Sequence, residues 1–214
     1  MALKPKPPPI RKPPDLPNAF GSPPRGFAGP LIEELRLDGF DFGPASIPEL
    51  DIRACLIERV SLANRTIQRL RIRDTRFVNC DLSNATLRGF EAARVEFIGC
   101  RLIGLKAIEC RLRDVLMEEC DVRYGQFTDG RLAVCEIKTC GLQEADFRGA
   151  NLEGIRMERV NLSRANLNGA KLKDADLRGA EIEGVIVRAE DVKGAIVSPP
   201  QAMDLARLLG LAIR

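Results

Sequence analysis

A period of five residues dominates the sequence from residue 42 onward. Starting at Phe42, every fifth residue as far as Val197 is Ala, Val, Ile, Leu, Met or Phe, which makes 32 consecutive apolar positions without an insertion. Neither an α-helix nor a flat strand repeats every five residues. The backbone must therefore turn a corner every five residues and close into a coil, with these apolar side chains, the first column, filling its axis.

A second column of small or apolar residues lies two positions before the first. All seven cysteines of the chain belong to it: Cys55, Cys80, Cys100, Cys110, Cys120, Cys135 and Cys140. Cysteines in such a column behave as small core hydrophobes, and an odd number without an export signal indicates reduced thiols. Gly, Asn or Asp often stands two positions after the first column, as tight corners require.

The clearest copies of the period, ADFRG, ANLEG, ANLNG, AKLKD and ADLRG, lie between Ala145 and Gly179. They resemble the A(D/N)LXX signature of the pentapeptide-repeat family, and the resemblance covers about three quarters of the chain. It implies an all-β solenoid, a right-handed quadrilateral β-helix with twenty residues per turn. The 32 repeats would then form about 8 coils.

A turn of twenty residues predicts which side chains stack inside the coil. Cys80, Cys100, Cys120 and Cys140 should form one ladder, and the pairs Phe77 with Phe97 and Phe127 with Phe147 should stack. Arg65 and Glu190 interrupt the second column. We expect both side chains to point outward at a corner, with a buried polar contact or a partner site as the alternative.

The chain divides into a Pro-rich basic tail (residues 1–30), a β-helix (31–197) and a C-terminal helix with its own short tail (198–214). Residues 1–30 hold ten of the fourteen prolines and carry a net charge of +4. Because proline cannot join the interior of a sheet, this segment is predicted to be polyproline-like and largely disordered. It is either a solubilising extension or an arm that touches a partner.

Helix-start features follow the last repeat. Ser198 is a candidate N-cap, Pro199 fits the first helical position and Gln201 fits a capping box, so a helix is predicted over residues 199–209. In gyrase-protecting members of the family from actinobacteria, a similar helix mediates a two-fold dimer. The resemblance therefore implies a homodimer, with a monomeric cap as the alternative. The expected dimer interface consists of Leu205, Leu208, Leu209, Leu211 and Ile213.

Several classes of activity lack support in the sequence. There is no His, so a Ser-His or Cys-His pair cannot form, and no GxxxxGK[ST] or GxGxxG segment opens a helix. Stacked thiols are parallel, whereas structural metal sites need converging ligands. We therefore predict no enzyme activity, cofactor or metal. Without an apolar run for a membrane span or signal peptide, a cytoplasmic location is expected.

Two opposite faces of the predicted rod differ in charge. The acidic face carries Asp41, Asp81, Asp121, Glu144, Glu181 and Glu183. The basic face carries Arg71, Arg73, Arg111, Arg113 and Arg131 among its ten cations. Quinolone-resistance members of the family resemble B-DNA and bind DNA gyrase, so the resemblance implies gyrase or a related topoisomerase as partner and drug protection as the role, without direct nucleic-acid contact. The alternative is a scaffold that holds another protein through the basic face and the Pro-rich tail.

Overall fold

The fold is a β-solenoid with one α-helix at its C-terminal end. The computed structural model describes residues 10–21, 29–43, 45–208, 210 and 212. Its strands are β1 (Leu31–Glu33), β2 (Arg36–Asp38), β3 (Ser46–Ile47), β4 (Leu50–Arg53), β5 (Leu56–Glu58), β6 (Thr66–Ile67), β7 (Leu70–Val78), β8 (Thr86–Leu87), β9 (Glu91–Ile98), β10 (Arg111–Glu118), β11 (Arg131–Ala133), β12 (Glu136–Lys138) and β13 (Arg156–Glu158). Most of them are two to four residues long because the backbone turns at the corners, whereas β7, β9 and β10 continue through one corner and are eight or nine residues long.

Strands pair in parallel with one constant register. In every strand pair the partners lie twenty residues apart, so that Ile52, Ile72, Ala92, Leu112 and Leu132 form a single column. From β1 to β13 this ladder covers about six turns, and isolated bridges continue it to Ile196. The twenty-residue turn predicted from the sequence is therefore confirmed.

The two apolar columns form the core. Every member of the first column from Phe42 to Ile182 is buried. Phe77 stacks on Phe97 with ring centroids 5.0 Å apart, and Phe127 stacks on Phe147 at 5.2 Å. Both predicted aromatic pairs are thus confirmed, with nearly parallel rings inside the core.

All seven cysteines are free and buried, as predicted. Burial raises the pKa of the Cys110 thiol and of the Cys135 thiol to about 12. At neutral pH both are therefore protonated, and a protonated thiol is neither a nucleophile nor a good metal ligand.

Corners use left-handed backbone two positions after the first column. Asn64 has φ 58° and Gly104 has φ 65°, which are conformations that Asn and Gly adopt easily. Gly, Asn and Asp are frequent at these corners, as predicted, but other residues such as Thr139 (φ 51°) and Val134 (φ 57°) occupy the same conformation. A β-branched residue there stores strain.

The C-terminal helix, α1 (Pro199–Leu208), begins as predicted. The Gln201 side-chain oxygen accepts hydrogen bonds from the backbone N–H of Ser198 at 2.8 Å, which is one of the two bonds of a capping box, and from the Ser198 hydroxyl at 3.0 Å. Its side-chain amide donates to the carbonyls of Leu177 and Ala180, both at 2.7 Å. In the coils, a carbonyl such as that of Val160 accepts from the backbone N–H 21 residues later, at Glu181. The Gln201 amide therefore replaces the strand that the last coil lacks.

The prediction of a largely disordered N-terminal tail is wrong for residues 10–21. The Arg11 side chain and the backbone N–H groups of Lys12 and Asp15 bind carboxylates of the rod. Gly21 forms a bridge with Leu35. An extended proline-rich chain cannot enter the sheet interior, but it can lie across the outside wherever side chains accept its remaining N–H groups. Residues 1–9 and 22–28 of the predicted tail lie outside the described residues.

The two polar interruptions of the second column behave differently. Glu190 is exposed and lies 3.3 Å from Arg188, so its side chain points outward as predicted. The Arg65 side chain is only 16% exposed and binds the Gly43 carbonyl and the Asp41 carboxylate, which is 2.9 Å away. Arg65 therefore makes a polar contact, but this contact is at the surface and is not the buried one given as the alternative, since the Asp41 side chain is 79% exposed.

Candidate interaction surfaces

Part of the acidic face is neutralised by its own neighbours. Asp81, Arg101 and Asp121 occupy successive rungs of one bridge column, so an arginine separates the two carboxylates. The Arg123 guanidinium lies 2.7 Å from Asp121, and this hydrogen bond lowers the pKa of the Asp121 carboxyl. The face therefore offers less free negative charge than its sequence indicates.

Three aspartates of this face also hold the backbone. A carboxylate oxygen accepts the backbone N–H two residues later in Asp41 (2.9 Å, from Gly43) and in Asp81 (2.8 Å, from Ser83). Asp121 accepts the same bond from Arg123 at 3.3 Å. Such bonds stabilise turns. From the sequence, these residues were expected to contact a partner. Their structural role was indicated by the recurrence of Asp or Asn at the position directly before the first column.

The remaining acidic residues, Glu144, Glu181 and Glu183, are exposed. The side-chain amide of Asn161 donates a hydrogen bond to Glu181. Glu183 borders a shallow groove together with Asp204, Arg207 and Leu208 of α1. The free negative charge of the acidic face is thus concentrated toward the C-terminal half of the rod.

The basic face consists of two adjacent arginine columns. In one column Arg71 and Arg111 flank Glu91, at 3.9 Å and 3.0 Å. In the other, Arg73 and Arg113 flank Ala93. Among the described residues, Arg73 and Arg131 have no carboxylate within ion-pair distance, so this face keeps an excess of positive charge.

A depression lies at the centre of the basic face, around Ala93, where a small outward side chain stands between Arg73 and Arg113. Its walls carry five arginines against two carboxylates. The Arg111 and Arg113 side chains at its edge are 76% and 75% exposed. The arrangement can accept several carboxylates or phosphates from one extended ligand, since guanidinium groups bind both in bidentate fashion. The depression is lined by Asp51, Arg53, Arg71, Ile72, Arg73, Glu91, Ala92, Ala93, Arg111 and Arg113.

The C-terminal end of the rod exposes apolar side chains. Leu205 of α1 packs against the rod's own core, whereas Leu208 is 45% exposed. Ile186, Ile196 and Met203 are also exposed at this end. Of the predicted dimer interface, Leu209, Leu211 and Ile213 lie outside the described residues.

Three carboxylates lie at or near the corner where β7, β9 and β10 continue without a break from the basic face to the next face of the rod. Asp74, Glu96 and Asp114 bind residues 11–15, which we call the arm, and we call the strip of surface that the arm follows the corner groove. The Arg11 guanidinium lies 2.9 Å from Glu96, and the side chains are 12% and 7% exposed. Arg76 binds the other oxygen of Glu96 at 2.7 Å.

Arg11, Asp74, Glu96 and Asp114 were not identified as site residues from the sequence. Leu116 was the available indication, because it is an apolar residue in an outward column that also holds Arg76 and Glu96, and the structure shows it to be buried. The arm binds Glu96, which is the register partner of Leu116, and Asp114, which lies on the same strand as Leu116.

Metal and membrane features were also sought over the described ranges. No group of three or more Cys, Asp or Glu residues there is arranged to hold a metal ion. Nor does that part of the chain contain a helix with the length and apolar character needed to span a membrane.

Comparison with protein families gives two matches. Residues 70–147 match a model described as a pentapeptide repeat region, and residues 140–179 match one described as pentapeptide repeats in eight copies. Together the two matches span about half of the chain. Comparison of the sequence with curated proteins finds no match.

Solved structures of other proteins are similar to this chain, and one of them, HetL, shares its fold. HetL, a pentapeptide repeat protein involved in heterocyst differentiation regulation from the cyanobacterium Nostoc sp. strain PCC 7120, is 18% identical, with a TM-score of 0.50 over 78% of this chain and 86% of HetL. Rfr23 from the cyanobacterium Cyanothece 51142 is 21% identical, with a TM-score of 0.30 over 57% and 64%. QnrB1, a plasmid-mediated fluoroquinolone resistance protein, is 22% identical, with a TM-score of 0.35 over 86% and 100%.

Proposed function

Since the chain belongs to the pentapeptide-repeat proteins, we propose that it is a non-enzymatic binding rod whose basic face holds an acidic segment of a protein partner. The depression around Ala93 is the observation that carries this proposal. Five arginines surround the depression. On the opposite, acidic face, three aspartates instead accept hydrogen bonds from backbone N–H groups of their own turns.

The rigidity of the rod supports a binding role. Each coil is bonded to the next in one register, so the two arginines of each column are held two strand spacings apart, about 9.6 Å, and Arg71 and Arg73 stand two residues apart on one strand, about 6.6 Å. A partner in extended conformation places alternate side chains about 6.6 Å apart. An acidic strand lying across the two columns therefore meets a preorganised row of guanidinium groups, which reduces the entropic cost of binding.

The test is binding of a fluorescent polyglutamate peptide to the full chain at about physiological salt. The double variant Arg73→Glu/Arg113→Glu should lower affinity at least about 10-fold, because both charges at the depression are reversed. Arg88→Glu/Arg164→Glu is the matched control, since it makes the same charge change at exposed positions elsewhere. Equal losses in the two variants would mean that only net charge matters and would contradict the proposal. Tighter binding to duplex DNA than to the peptide, again through Arg73 and Arg113, would identify nucleic acid instead.

Binding to DNA gyrase or a related topoisomerase, with protection from its inhibitors, is the second candidate. The exposed Glu144, Glu181 and Glu183 favour it, because they leave negative charge free on a narrow rod. A supercoiling assay with and without a fluoroquinolone tests it. Glu144→Gln/Glu183→Gln should weaken any effect on gyrase. Asp81 and Asp121 are unsuitable for this test, since their loss would also disturb turns.

We further propose the finer features that the sequence predicts: a right-handed quadrilateral solenoid of about 8 coils, a cytoplasmic location and a two-fold dimer through α1. The exposed Ile186, Ile196, Met203 and Leu208 support the dimer, because they form an apolar end that association would bury. Light scattering should show Leu208→Asp to be monomeric. Ile108→Asp, at an equally exposed apolar residue far from that end, should leave the dimer intact.

A further inference from the structure

We propose that the corner groove is a binding site for an extended segment of the type Arg-x-Pro-Pro-x, and that the arm is its intramolecular ligand. A partner carrying such a segment would bind by displacing the arm. This inference is independent of the proposed function, because it concerns a different surface and a ligand of opposite charge.

The spacing of the arm matches the coils. The backbone N–H of Lys12 donates to Asp114 at 3.0 Å, and that of Asp15 donates to Asp74 at 3.1 Å. Asp114 and Asp74 lie two coils apart, which is about 9.6 Å at one strand spacing per coil. Three residues of polyproline-like backbone span about 9.3 Å. An extended segment therefore reaches both carboxylates without strain, running across the strands toward the N-terminal coils.

The two prolines of the arm stand at positions where no carboxylate of the groove accepts a backbone hydrogen bond. Between the two donating N–H groups stand Pro13 and Pro14, which have none. A chain of non-proline residues here would bring two more backbone N–H groups, whereas the two prolines also fix the extended conformation before binding. The positions of the carboxylates on the rod thus set the ligand pattern. The residues at the two x positions donate backbone N–H groups, and the two residues between them are prolines.

The cation before the prolines supplies the charge. Glu96 and Asp114 are buried, at 5% and 7% exposure, and a buried carboxylate is costly unless it is paired. Arg11 pairs with Glu96, and its Nε is buried without a hydrogen-bond partner among the described residues. Arg76 of the rod already binds Glu96, so a cationic occupant adds a second ion pair to this carboxylate, and the groove holds Arg11 with incomplete hydrogen bonding.

The contacts of the arm can be replaced by those of another segment. The hydrogen bonds that join the arm to the groove come from one guanidinium and two backbone N–H groups, which any Arg-x-Pro-Pro-x segment can provide. The arm competes well against a free segment because the tether between arm and rod raises the effective concentration of the arm to about the millimolar range. A free segment of the same sequence should therefore bind only when the arm is weakened.

The experiment uses the full chain and a fluorescent peptide with the sequence of residues 9–17, PIRKPPDLP. In Arg11→Glu the arm repels Glu96 and leaves the groove, so we expect the peptide to bind at least about 10-fold more tightly than to the unmodified chain. Adding Glu96→Gln to Arg11→Glu should abolish that gain. Adding Glu91→Gln, on the same strand but away from the arm, should preserve it.

The outcomes separate cleanly. If Arg11→Glu binds the peptide no more tightly than the unmodified chain, or if the Glu96→Gln addition binds as tightly as the Glu91→Gln addition, the groove is not a peptide site. Arg11→Ala removes the cation without adding a carboxylate, and it should give the same order of affinities if Arg11→Glu proves unstable. Circular dichroism checks that each variant retains the solenoid.

Discussion

The Arg11 guanidinium and the Glu96 carboxylate lie 2.9 Å apart and are nearly buried, although 85 residues separate them in the sequence. This pair joins the proline-rich N-terminal segment to the middle of the solenoid. Because Arg76 also binds Glu96, one carboxylate is shared between a rod residue and an arm residue. Loss of the arm would leave that carboxylate half-paired.

Protection of the Arg11–Lys12 peptide bond from trypsin is a direct consequence. The protease needs the arginine side chain free and the backbone extended into its own site, and both are engaged in the groove. Glu96→Gln should speed cleavage at this bond at least about 10-fold, because the removed charge was the partner of Arg11. Mass spectrometry of the released residues 1–11 gives the rate.

Glu91→Gln is the control for that change. It neutralises an exposed glutamate on the same strand, β9, that pairs with Arg111 and does not contact the arm. Equal cleavage rates in Glu91→Gln and Glu96→Gln would show that the pair does not hold the arm.

The ladder and its core could be predicted from sequence because the period is local. Once the turn contains twenty residues, the stacking of Phe77 on Phe97 follows by counting. The arm could not be predicted in this way. Its binding depends on which outward carboxylates come together across coils, and the basic, proline-rich composition of residues 1–30 indicates only that the segment stays outside a sheet.

The same limit applies to the charged faces. Counting residues in the sequence gives a net charge for each face, but it does not show that the Asp81 carboxylate accepts a hydrogen bond from the backbone N–H of Ser83. Nor does it show that Gln201 binds the carbonyls of the last coil, beyond its place in a capping box. Local hydrogen bonds of this kind decide which charges remain free for a partner.

Stability at acid pH should depend on Asp191. The hydrogen bond from Arg188, against the opposing effect of burial, lowers the pKa of this carboxyl to about 2 from 3.8. A lowered pKa in the folded state stabilises the fold above the ordinary value, and the contribution disappears as the pH falls from about 4 to about 2. Asp191→Asn should therefore cost roughly 1–2 kcal/mol of unfolding free energy at pH 6 and almost nothing at pH 2.

Urea unfolding of both chains at the two pH values measures this difference. Asp204→Asn, at an exposed position of α1, is the control and should change little at either pH. A constant difference between the unmodified chain and Asp191→Asn across the range would disprove the role of the ionised carboxylate.

Thr139 should be a site where glycine stabilises the protein. Its φ of 51° is unfavourable for a β-branched residue, and its side chain is exposed. Thr139→Gly should raise the free energy of unfolding by about 0.5–1 kcal/mol, as relief of strain outweighs the added freedom of the unfolded chain. Lys138→Gly, one residue earlier in β12, should lower stability instead. Thermal melting of both variants measures the difference. A higher melting temperature for Thr139→Gly with a lower one for Lys138→Gly indicates relief of strain, whereas a change of the same sign in both indicates a general effect of glycine.

Gln201 should be the critical residue of the C-terminal cap. Gln201→Ala leaves the Ala180 carbonyl without its donor from the cap and opens the capping box, which should cost roughly 1–3 kcal/mol. Hydrogen exchange should show faster opening of the last coil, while the central coils stay protected. The same change at exposed Met203 is the control, and comparable exchange in both variants would rule out a capping role for the amide.

The most direct test of the basic face as the functional surface is an arginine footprint. The chain is modified with phenylglyoxal in the presence and absence of the polyglutamate peptide, and each arginine is quantified by mass spectrometry. The account predicts that the peptide protects Arg73 and Arg113 and leaves Arg88 and Arg164 as reactive as before. Uniform protection of all four arginines, or protection of Arg88 and Arg164 alone, would contradict it.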